Sequence, residues 1–119
     1  ALSTQTNDPV GWARTSGKLP EYLKAGCYVL ASAVGEASLV LPPEMLIEYD
    51  GGGRDDSYPL RLAERITSLI NKRTLIQTQR KNMLLLARRY FDYRSLSANL
   101  ADCLAATVTR LDGMFEQKG

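Results

Sequence analysis

The sequence predicts an all-α fold, an antiparallel up-down four-helix bundle with an extended N-terminal arm. Three observations predict it. Apolar residues recur at helical spacing in four separate stretches. No Gly or Pro occurs between Leu60 and Arg94. The connections between the last three stretches are short, which suits antiparallel neighbours. At 119 residues, 45% apolar and 24% charged, the chain has the size and composition of one globular domain. Residues 1–119 are read as a single helical domain: an arm at 1–17, a first helix at 18–38, a long connection at 39–57, and helices two to four at 58–117.

Ala1 to Ser16 is polar, with Asn7-Asp8-Pro9 as turn chemistry and Trp12 the only tryptophan. It reads as an extended arm with one helical turn around Val10 to Arg14. Trp12 is either a plug on the domain's own core or an anchor for a partner. The chain begins ALSTQTNDP without Met, which suits removal of a targeting segment or an artificial start.

The first helix starts near Pro20, whose missing N–H does no harm in a first turn. Leu23, Cys27, Leu30, Ala31 and Val34 follow helical spacing, and Gly26 and Gly35 weaken the helix or let a neighbour approach. Pro42-Pro43 ends it, with one further turn expected within Glu44 to Tyr49. Asp50 to Ser57 reads DGGGRDDS. It lacks the Lys-Ser/Thr of a phosphate loop and the ligand order of a calcium loop, and reads as an exposed connection.

The second helix spans about Pro59 to Lys72, capped by Asp56 or Ser57, with Leu62, Ala63, Ile66, Leu69 and Ile70 on its buried side. A turn follows near Asn71 to Thr74, where Asn71 is expected in a left-handed C-cap. The third helix covers about Thr74 to Tyr93. The fourth is capped by Ser95 or Ser97 and carries Leu96, Leu100, Cys103, Leu104, Val108, Leu111 and Phe115 as core. Leu86 and Leu104 are both expected to be buried.

Lys72 to Arg94 holds seven cations against one acid, Asp92, in a chain whose formal total is +2. Arg73, Arg80, Lys81 and Arg88 recur at seven or eight residues, so they fall along one side of the third helix. The other side is apolar. Such a helix puts one face in the core and a cationic stripe in solvent.

Little in the chain suggests catalysis. Histidine is absent, which removes the commonest general base and metal ligand together. No CxxC, HExxH or G-x-S-x-G motif occurs. Asp55-Asp56, Asp102, Asp112 and Glu116 read as solvated charge. No catalytic, cofactor-binding or metal-binding residue is assigned. Cys27 and Cys103 are read either as buried free thiols or as one disulfide tying the first helix to the last, which would need an oxidising compartment. No run approaches the roughly 18–20 apolar residues of a membrane span. The remaining uses for the stripe are a solvated face, a membrane surface, nucleic acid, or an acidic protein surface.

Residues 70–93 read INKRTLIQTQRKNMLLLARRYFDY. This stretch resembles the PsbQ-type extrinsic subunits of photosystem II, the algal and diatom PsbQ-like form in particular. In those a helix ends in a basic turn, and the next is rich in Gln, Asn, Arg and Leu and closes on an aromatic-Asp pair. The resemblance implies a four-helix bundle without an active site. It implies a place in the chloroplast thylakoid lumen, peripheral to the thylakoid membrane. There the protein would dock on the photosystem II core and other extrinsic subunits and stabilise the oxygen-evolving complex, with no nucleic acid and no transmembrane segment involved. Arg73, Arg80, Lys81, Arg88 and Arg89 are the docking candidates by charge position, with Trp12 beside them. A small secreted or effector-type helical protein-binding module is the alternative, and nucleic-acid binding through the third helix a further one.

Overall fold

The computed structural model describes residues 1–116, the side chains of 112–116 excepted. Phe115, the Asp112–Glu116 pair and the predicted helix end at 117 therefore lie outside the described residues. The chain order is β1 (Leu2–Ser3), α1 (Pro9–Ala13), α2 (Lys18–Lys24), β2 (Leu30–Ser32), α3 (Glu36–Val40), a 3₁₀ turn (Pro43–Met45), β3 (Leu46–Ile47), α4 (Tyr58–Ile70), α5 (Arg73–Thr78), α6 (Arg80–Phe91) and α7 (Tyr93–Glu116). The four-helix bundle is corrected. The fold is mostly helical, 63% of residues, but it is built on a small three-stranded parallel sheet of order β1-β2-β3. Leu2 pairs with Leu30 and Ser3 with Ala31, while Ala31 pairs with Leu46 and Ser32 with Ile47.

The correction begins at Gly26. Where spacing predicts one helix over 18–38, α2 stops at Lys24 in a Schellman cap. Gly26 sits at φ 72°, its N–H donates to Leu23 O, and the Cys27 N–H reaches back to Tyr22 O. The next residues, Tyr28-Val29-Leu30-Ala31, are all buried, and Leu30–Ser32 form the central strand. A central parallel strand is covered on both faces and reads as an unbroken apolar run. The arm is also not free. β1 is an edge strand of the sheet, and Ala1 O accepts from the Leu30 N–H at 2.9 Å. The helical turn expected near Val10 is α1, N-capped by Asp8, whose Oδ1 accepts from the Gly11 N–H at 2.7 Å.

The core gathers around β2. Leu19 and Leu23 of α2, Met45 and Ile47 around β3, Val40 and Leu41 at the end of α3, Tyr58 and Met83 are buried in one cluster with Leu30 and Ala31 of β2. Ser32 Oγ donates to the Tyr58 hydroxyl at 3.0 Å, so the one polar side chain buried on β2 is satisfied. α2 packs chiefly on α6, which sends Met83 inward with Leu86, Ala87 and Tyr90 half-buried beside it.

Gly35 holds the approach of α1 to the start of α3. It adopts φ 59°, ψ −139°, and a Cβ there would lie 2.8 Å from Gly11 O and 3.2 Å from Trp12 O. Gly35→Ala is therefore expected to cost about 2–4 kcal/mol, combining strained backbone with overpacking against main chain. Gly17→Ala, with nothing within 4 Å of the new methyl, should change stability by less than about 1 kcal/mol. Urea denaturation of the two variants checks this.

The second half departs from expectation in smaller ways. α4 lies close to its predicted span, and its N-cap position is Ser57 as expected, but the Ser57 side chain makes no capping bond; Asp55 Oδ1 instead accepts from the Ser57 and Tyr58 N–H groups. Asn71 has φ −92°, so the expected left-handed cap is absent. The predicted third helix is divided at Gln79 into α5 and α6. Asp92 opens α7, accepting from the Arg94 N–H at 2.9 Å. Most of all, α7 is not core. All of residues 93–111 are exposed, Leu104 at 59%. No disulfide forms: Cys27 is half-buried and Cys103 is exposed, both as free thiols.

Candidate functional site

The α5–α6 segment owes its position to one buried stripe. Ile76, Met83, Leu86, Ala87, Tyr90 and Phe91 face the core and orient everything else outward. Lys81, Arg88 and Arg89 are left in solvent together with Leu84 and Leu85. Arg89 stacks its guanidinium over the Tyr90 ring, 5.3 Å from the centroid. None of Lys72, Arg73, Arg80, Lys81, Arg88, Arg89 and Arg94 makes an ion pair among the described residues; the three pairs present use Arg54 and Arg61. The cationic ridge is thus a charged surface without internal neutralisation.

The predicted site residues do not all share it. Arg80 lays its stem over Gly26, where a Cβ would come within 2.7 Å of its Cγ, so it also packs the fold. Arg73, on the far side of the break at Gln79, borders an apolar groove of about 570 Å³ lined by Leu2, Cys27, Tyr28, Ile66 and Leu69 among others. Arg88 lines a second groove, about 420 Å³, between α2 and the α6–α7 joint, with Pro20, Phe91, Tyr93 and Leu96. Trp12 stands apart. It follows the carboxyl end of β1, is 54% exposed, and donates its Nε1–H to Asn7 Oδ1 at 2.6 Å. It is neither a core plug nor part of the ridge.

Sequence reasoning missed the clasp beside α4. Arg61 donates to Asp50 Oδ2 at 3.1 Å, to Asp55 Oδ2, and to Glu48 O at 3.0 Å. Asp55 also accepts from the Asp50 N–H at 2.7 Å. Asn7 ties the arm to the same loop, donating from Nδ2 to Gly51 O at 2.7 Å. The loop DGGGRDDS is therefore fastened at both ends by polar contacts, a function no local motif announces.

These contacts set a pH dependence. The Asp50 N–H first, then the Ser57 N–H and Arg61, hold the Asp55 carboxyl below its ordinary 3.8. A depressed carboxyl contributes stability that is fully present above pH 3.8 and is lost as pH falls through the lower folded value. Asp55→Asn is expected to lower the urea midpoint near neutral pH. The gap to the parent should close as pH falls below 3.8, and a gap of constant size would refute the linkage.

Among the described residues, no group of three or more His, Cys, Asp or Glu side chains is placed to hold a metal ion, and no helix is long and apolar enough to cross a membrane. No protein-family model, curated protein or solved structure matches the chain. The class is defined by the fold alone: a small parallel-sheet body with a helical cover, a cationic ridge and a projecting helix.

Proposed function

We propose that this chain is a non-catalytic docking protein that binds an acidic protein surface through the α5–α6 ridge. The observation that carries the reading is the set of cations from Lys72 to Arg94 that make no ion pair among the described residues. Exposed Leu84 and Leu85 lie between Lys81 and Arg88, and two grooves open beside Arg73 and Arg88. Charge can steer and orient an encounter, while the apolar patches provide area to desolvate.

The resemblance at residues 70–93 supplies a specific form of the proposal. In that form the partner is the luminal face of the photosystem II core, the compartment is the thylakoid lumen, and the effect is stabilisation of the oxygen-evolving complex. Those 24 residues carry it alone, because the bundle that would accompany it is not the fold.

The test is rebinding of the purified chain to salt-washed photosystem II membranes at low ionic strength, beside a pull-down of acidic proteins from a lysate. Saturable rebinding, reversed by salt and accompanied by recovered oxygen evolution, supports the specific form. Salt-reversible capture of a different acidic protein, lost in a Lys81/Arg88/Arg89 charge reversal, supports the general reading only. Capture that ignores both salt and charge reversal refutes both.

A further inference from the structure

We propose that two copies of this chain pair antiparallel through α7, about a two-fold axis that passes Leu104. The pairing uses the exposed apolar row of α7, of which only Leu96 borders the groove beside Arg88, and does not rest on the docking reading.

The first observation is surface area. A folded chain of 13.2 kDa exposes roughly 6,400 Å². This one exposes 8717 Å², an excess of roughly 2,300 Å² over that expectation. Its radius of gyration, 18.8 Å, compares with about 13.5 Å for a compact domain of this length. A stable pair needs about 800 Å² from each partner, so the excess is more than enough for one interface. The excess lies where α7 leaves the body. This 24-residue helix extends about 36 Å, packs mainly on α6, and exposes every residue from 93 to 111.

The second observation is the pattern of what it exposes. Leu96, Leu100, Leu104, Val108 and Leu111 are 44–61% exposed. Their spacings are four, four, four and three, nearly symmetric about Leu104, which sits at the middle of the helix. Turned antiparallel about that point, Leu104 meets its own copy, Leu100 meets the other copy's Val108, and Leu96 comes within one residue of the register of its Leu111. Every large aliphatic finds another. The spacing is longer than the 3.5 residues of a left-handed coiled coil, so the two helices cross without that supercoil.

The third observation is charge. Residues 93–111 carry only Arg94, Asp102 and Arg110. A helix lying on an anionic lipid surface needs a Lys/Arg-rich outer face, which this one lacks. A parallel pair would bring two cationic α6 ridges to the same end of the shaft. An antiparallel pair places the bodies at opposite ends of the shaft.

Sedimentation equilibrium of the full chain should give twice 13.2 kDa at micromolar concentration, at low and high salt alike. Leu100→Glu with Leu104→Glu should return it to 13.2 kDa with the near-ultraviolet signal of Trp12 unchanged, since these side chains touch little of the body. In a Cys27→Ala, Cys103→Ser background, mild oxidation should cross-link Leu96→Cys chains to Leu111→Cys chains on mixing, and should not cross-link Leu96→Cys to itself. A mass of 13.2 kDa for the parent at all concentrations would overturn the proposal, whether or not the chain then binds anionic vesicles. A dimer that survives both glutamates, or Leu96→Cys self-linkage, would overturn it equally.

Discussion

Leu23→Ala is expected to lower the free energy of unfolding by about 2–5 kcal/mol, whereas Leu104→Ala changes it by less than about 0.5 kcal/mol when the chain is dilute enough to be monomeric. The same chemical deletion differs so much because the two leucines have different surroundings. Leu23 is fully buried where α2 packs on α6, and removing three carbons there forfeits both transfer free energy and packing. The residues around it are held from several sides, by the Schellman cap at Gly26 and by the parallel pairing of β2, so the site cannot collapse to fill the space. Leu104 is 59% exposed on a helix that leaves the body, and alanine favours helix at least as well. Urea denaturation followed by far-ultraviolet circular dichroism measures both. Equal losses would mean that α7 folds back as the fourth helix of a bundle, as its amphipathic pattern by itself suggests.

That pattern shows why the sequence was only half legible. The amphipathic row of α7 identifies a helix and an apolar face correctly, but periodicity does not say whether the face meets the same chain or another. The helices α4 and α6 were legible for the same reason, being long and periodic. The sheet was not. Its strands are two or three residues long, too short for an alternating pattern, and the central one is buried on both faces. A run such as Tyr28-Val29-Leu30-Ala31 fits a buried helix turn as well as a strand. Gly26 is the available signal, since a glycine after Leu23-Lys24-Ala25 is a common helix stop, but Leu30 and Val34 stand at helical spacing and mask it. The cationic ridge was visible as composition. Its division at Gln79 and the separation of Trp12 from it were not, because both depend on how α5 and the arm pack. The Arg61 clasp joins residues from a loop and a helix by contacts that only the fold creates.

The charge reversal Lys81→Glu, Arg88→Glu, Arg89→Glu is expected to weaken binding to the acidic partner by about a hundredfold while leaving the melting temperature unchanged or slightly raised. These three side chains are exposed and make no ion pair among the described residues, so their loss breaks no fold contact except the Arg89–Tyr90 stack. Removing positive charge from a stretch with seven cations and one acid relieves repulsion within the ridge itself. Arg80 and Arg73 are left in place because the first packs on Gly26 and the second borders the apolar groove, and reversing either would confuse folding with binding. At the partner, each reversal removes one attraction and adds one repulsion, each about 0.5 kcal/mol at a solvated rim. Over three positions this reaches roughly 3 kcal/mol, a little more than two powers of ten. Salt should weaken binding of the parent chain, where it screens attractions, and should strengthen binding of the variant or narrow its gap to the parent, where it screens the added repulsions. Titration calorimetry at two ionic strengths separates these contributions. A variant that is folded and binds as tightly as the parent would leave the ridge as a solvated face. Its seven cations would then serve solubility, and the docking surface would have to be sought at the apolar groove beside β1.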